Sequence, residues 1–113
     1  SEKMAMGHFV DGKVSVVVGT HTHVPTADAQ VFPGGTGYQT DLGMCGDYDS
    51  VIGIRKEISV ERFVRKMPTA RMEAAAEEAT LCAVMVDIDD GTGLATDIRP
   101  VRIGGRLRGE MPD

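Results

Sequence analysis

"VVVGTHTHVPTAD", residues 16–28, runs a stretch of valines into two histidines placed two apart, His21 and His23. The chain holds three histidines in 113 residues, so a pair at this spacing needs a reason. The valines belong to "KVSVVVG", 13–19, a β-branched run bounded by Gly12 and Gly19. Near-continuous apolarity over this length predicts a strand buried on both faces. If the backbone stays extended beyond Gly19, residues i and i+2 point to one side, roughly 6.5–7 Å apart. His21 and His23 then converge on one metal, or each ligates one of two metals about 3.5–4 Å apart. Imidazole suits Zn, Fe and Mn at neutral pH. Gly19 permits close backbone approach, and Thr20 and Thr22 offer hydroxyls that can steady the ligands. Two solvent-exposed loop histidines have the same spacing, so the pair alone leaves the chemistry open.

Working outward, residues 2–10 predict a short helix capped by Ser1, with Met4, Ala5 and His8 or Phe9 on one face and Asp11-Gly12 ending it. "ADAQVF", 27–32, and "TGYQTDLG", 36–43, read as short strands around the Pro33-Gly34-Gly35 turn, and "MCGDYDSVIG", 44–53, reads as a loop. "SVERFVRKM", 59–67, predicts a helix capped by Ser59, with Glu61 near its positive end, Arg65 and Lys66 near its negative end, and Pro68 beyond. "TARMEAA", 69–75, fits helix by composition and strand by spacing. "ATLCAVMVDID", 79–89, turns at Asp90-Gly91 and is answered by "GLATDIRPVRIG", 93–104, as an antiparallel hairpin; Pro100 marks an edge or bulge. The polar tail from Gly105 is expected to fray. About five or six strands, two helices and no regular βαβ alternation predict an α+β fold.

The length is that of one domain or part of a larger one. A net charge of −5 gives no basic footprint, which argues against duplex nucleic acid as a partner. No run is apolar and long enough to cross a membrane as a helix. Cys45 and Cys82 stand 37 apart outside any C-x-x-C pattern. They read as free buried thiols in a reducing cytoplasm, with one disulfide as the alternative. The chain opens on Ser1 without an initiator Met, as expected of a piece of a longer protein.

A buried strand running into Gly-x-His-x-His resembles the terminal metal-binding motif of calcineurin-like metallophosphoesterases. "VVGTHTHVPTADAQ" (17–30), "PGGTGYQTDLGMCGDYDSVIG" (33–53), "KMPTARMEAAAEEATLC" (66–82) and "IRPVRIGGRL" (98–107) resemble the YmdB-type branch of that family over nearly the whole chain. The resemblance implies that residues 1–113 are the C-terminal portion of a single metallophosphoesterase domain, a β-sandwich flanked by helices. It implies hydrolysis of small phosphodiesters, notably 2′,3′-cyclic nucleotides, at a dinuclear centre of Fe, Mn or Zn. By the same resemblance His21 matches the ligand of one metal and His23 the ligand of the other. The family's Asp, Glu and Asn ligands, its catalytic His and an earlier ligand His lie in an N-terminal half with no counterpart here. No catalytic residue is therefore assigned, and this chain alone is expected to be inactive.

Other residues carry weaker signals. Asp41, Asp47 and Asp49 do not have the spacing of an EF-hand loop and suit turns and caps. Within the resemblance, Asp41 and Tyr48 are the candidates for substrate binding. His8 reads as a boundary histidine, Gly104-Gly105-Arg106 as a flexible turn, and the seven methionines as core filling. Two other readings stay open: a non-catalytic fragment that orders by self-association or by pairing with a missing half, and a binding module holding one metal through His21 and His23. For the apolar strand 13–19, the first reading expects burial against a second copy or the other half.

Overall fold

The computed structural model describes residues 1–68 and 70–112. Among the described residues there are two helices, α1 (Glu2–Phe9) and α2 (Lys56–Arg65). The strands are β1 (Val16–Val18), β2 (Gln30–Val31), β3 (Gly37–Gln39), β4 (Gly46–Asp47), β5 (Ala79–Ile88) and β6 (Ala95–Ile103). They form two three-stranded sheets, β1-β3-β2 and β4-β5-β6, so the α+β class holds.

In the first sheet β3 is central, parallel to β1 and antiparallel to β2. All three β3 residues are buried, whereas Val16 and Val17 are half-buried and Val18 is exposed. The apolarity of the valine run predicts cover on both faces; the structure makes it a three-residue edge strand with one neighbour. The second sheet is dominated by the long β5–β6 hairpin, paired from Leu81↔Ile103 to Ile88↔Ala95 with a register shift at Asp87/Ile88. Asp89 makes the turn, its Oδ1 accepting the N–H groups of Gly91 and Thr92. β6 packs against β2 and β3, joining the sheets over Phe32, Tyr38, Ile98 and Val101.

Several boundaries differ from the sequence reading. α2 begins at Lys56, three residues before Ser59, because Arg55 holds the extended N-cap conformation and Glu57 occupies the first turn. Lys66 ends it in the left-handed region. The loop at 44–53 contains β4, which pairs with β5. Thr69 lies outside the described residues, and Ala74 is extended, bridging to Ile54. The tail is tied down rather than frayed: Glu110 exchanges both backbone hydrogen bonds with Arg102, and their side chains form an ion pair. On α1 the packed residue is Gly7, not the Met4 face, and His8 stacks on Phe32 with ring centroids 4.1 Å apart.

Candidate functional site

The chain leaves β1 at Gly19, which lies so close to β3 that an added Cβ would sit 2.0 Å from the Thr40 carbonyl oxygen. The next residues follow the segment beyond β3. The Leu42 N–H donates to the Gly19 carbonyl, the Met44 N–H to that of His23 and the Thr26 N–H to that of Asp41. The histidine segment is therefore not the extended continuation expected. His21 has φ 108° and His23 φ 70°, both in the left-handed region. Such a backbone costs a non-glycine residue about 1–3 kcal/mol and persists only where neighbouring bonds impose it.

Those bonds are specific. The Thr22 N–H and hydroxyl both donate to Asp41 Oδ2, at 2.7 and 2.8 Å, and the Gly43 N–H donates to Asp41 Oδ1 at 2.8 Å. The Lys3 ammonium, reaching from α1, donates to the Thr20 carbonyl and lies 3.6 Å from Asp41 Oδ2. Asp41 is 1% exposed. Burial opposes its charge, but the Gly43 and Thr22 hydrogen bonds together with Lys3 outweigh it and hold the carboxyl below its ordinary value.

His23 Nδ1 is 2.9 Å from the Ile52 carbonyl oxygen. Only a protonated Nδ1 can make that bond in the neutral ring, so Nε2 keeps its lone pair, as a metal ligand requires. Ile52 itself has φ 48°, at the tight turn where Val51 and Ile54 pair.

Thr20, His21, His23, Asp41, Gly43 and Met44 line a cavity of about 360 Å³. The structure thus brings His21, His23 and Asp41 together. Tyr48 lies in a neighbouring cavity beside Val24 and Pro25; its hydroxyl donates to the Met44 carbonyl and touches Cys82 Sγ at 3.4 Å. Burial first, then the contact with Cys82, pushes the Tyr48 phenol up, so it stays neutral at physiological pH. Cys45 and Cys82 are both free; Cys82 is buried as expected, but Cys45 is exposed. Among the described residues, no group of three or more His, Cys, Asp or Glu is placed to hold a metal. The donor set fits part of a metal centre: two imidazoles, with both Asp41 oxygens already accepting hydrogen bonds.

Lys3 and Ile52 carry no signal in the sequence. Nothing local marks either: a helix-surface lysine and a backbone carbonyl acquire their roles only through the fold.

A family model described as YmdB-like protein matches residues 1–101. The chain belongs to the YmdB-like family. It is 47% identical over 103 residues to the 2′,3′-cyclic-nucleotide 2′-phosphodiesterase of Bacillus subtilis (strain 168), a match covering 91% of this chain and 39% of that protein. Two solved structures superpose with a TM-score of 0.84 each. One is a hypothetical protein from Thermus thermophilus, 42% identical, with 93% of this chain and 40% of that one covered. The other is described as a novel phosphatase of Mycoplasma pneumoniae, 38% identical, with 91% and 37% covered. The chain thus spans about two fifths of the length of these relatives.

Proposed function

We propose that the chain is the C-terminal portion of a metal-dependent phosphodiesterase domain, a helix-flanked β-sandwich acting on 2′,3′-cyclic nucleotides or similar small phosphodiesters. The observation that carries the reading is the histidine cavity in a YmdB-like chain, with His23 Nε2 left free by the Nδ1 contact to Ile52. In this reading His21 and His23 each ligate one of two divalent ions, Fe, Mn or Zn. Bound there, the ions would supply Lewis-acid stabilisation of phosphate charge and a more acidic water. The chain's own residues do the rest of what this portion can do. Asp41, Gly43 and Met44 line the same cavity as the histidines. Tyr48, a neutral hydroxyl beside Pro25, is the candidate contact for the part of the substrate that extends past the histidines. The acidic ligands and the general acid come from the rest of the domain, which pairs with this portion along the open edge of β1; self-association through that edge is the alternative.

In the full-length protein, His21→Ala and His23→Ala are each expected to remove bound metal and lower turnover of 2′,3′-cyclic AMP by about 100-fold or more. Elemental analysis beside the assay tests this. Full metal occupancy with unchanged turnover in both variants would return the histidines to plain loop residues.

A further inference from the structure

The backbone at His21 and His23 is unusual for its residue types, and the two bonds that bracket it come from outside the loop. We propose that Asp41 is a positioning residue: it fixes Thr22, the residue between the histidines, and so imposes the left-handed backbone that aims both imidazoles into one cavity. Three observations converge on it. Both flanking histidines have positive φ, 108° and 70°. Asp41 takes both the N–H and the hydroxyl of Thr22 on one oxygen and the Gly43 N–H on the other, so it ties the histidine loop to Gly43 in the lining of the same cavity. Its side chain is 1% exposed, and both its oxygens are taken by these hydrogen bonds. Lys3 completes the bracket by holding the Thr20 carbonyl on the other side of His21. Without these bonds, an L-residue at His21 relaxes toward negative φ, and the two rings lose their common direction.

The proposal deepens the reading of His21 and His23 as metal ligands, and its test separates the two. Asp41→Asn keeps the size of the side chain but turns one acceptor into a donor, so the N–H of Thr22 or of Gly43 faces an N–H₂ group. In the metal-free full-length protein, the vicinal HN–Hα coupling of His21 reports φ by NMR. It is expected to be small in the parent and to rise toward the extended value in Asp41→Asn, with the β5–β6 cross-strand contacts retained. In a zinc titration of the full-length protein followed on the histidine ring carbons, the parent is expected to shift at both His21 and His23, and the variant to bind about tenfold more weakly. An unchanged coupling and an unchanged zinc affinity in a folded Asp41→Asn overturn the proposal. A full-length parent that takes no zinc at either ring overturns the metal reading instead, and the coupling still decides the role of Asp41. If Asp41→Asn does not fold, Thr22→Val carries the test. It removes the hydroxyl bond to Asp41 and that hydroxyl's contacts with the Val24 backbone, leaves the backbone N–H bond to Asp41, and is expected to move both readouts the same way, with affinity reduced about threefold; no movement in either overturns the proposal.

Discussion

Gly7 is the residue at which α1 touches the first sheet. A Cβ built there would lie 2.7 Å from the Tyr38 ring and 3.0 Å from Phe32. Those rings cannot retreat easily, because Phe32 is stacked between His8 and Tyr38, at centroid distances of 4.1 and 4.8 Å. Alanine would gain about 1 kcal/mol in helix propensity. Overpacking typically costs about 1–3 kcal/mol, and here the obstacle is a pair of aromatic faces. Gly7→Ala is therefore expected to lower stability by about 1 kcal/mol net, read as a lower denaturation midpoint; an equal or higher midpoint would show that the helix shifts freely. The contact has a consequence for the site, since α1 also carries Lys3 to the histidine loop. Composition gives no hint of this, for a glycine within a helical pattern reads only as a weak point.

β6 and α2 differ sharply in how much they bury. β6 places Ala95, Ile98 and Val101 in the core and joins the two sheets. Ile98→Ala should cost about 2–5 kcal/mol, the usual range for emptying a packed site. α2 buries only Ile58. Its Phe63 is 82% exposed, so Phe63→Ala should change stability by no more than about 0.5 kcal/mol despite removing a whole aromatic ring. Chemical denaturation of the two variants side by side checks the contrast, and equal losses would mean that α2 is packed in solution. The hairpin is legible in the sequence because apolar β-branched runs flank an Asp-Gly turn, a local signal. The start of α2 is not, since the N–H of the extended Arg55 is held by the carbonyl of Glu73, eighteen residues away. Ser59 reads as the cap because capping chemistry is local, but long-range pairing decides the boundary.

Across the whole molecule, a buried polar seam runs beneath β3. Gln39 donates to the carbonyls of Thr26 and Asp41, while Asp28 accepts from the hydroxyls of Thr26 and Thr40 and the N–H of Thr40. Burial opposes the charge of Asp28, but the Thr40 and Thr26 hydrogen bonds outweigh it and hold its carboxyl, like that of Asp41, below its ordinary value. A carboxyl with a folded value below its unfolded one stabilises the fold above the unfolded value, and that contribution disappears as pH falls through the folded value. The melting temperature is therefore expected to fall as pH drops from about 5 toward 2, and Asp28→Asn should flatten that fall while lowering stability at neutral pH by about 1–3 kcal/mol. A variant as acid-sensitive as the parent would remove Asp28 from this account. By itself the sequence determined the two helices, the β5–β6 hairpin, the α+β class and the prominence of His21 and His23, because periodicity, turn residues and residue chemistry act over short distances. That the histidine segment is bent rather than extended, and that Asp41, Lys3 and the Ile52 carbonyl hold it, comes from the packing of distant segments. The hydrogen bonds that do so join residues 17 to 29 apart along the chain, and such pairings arise from packing rather than from any local pattern.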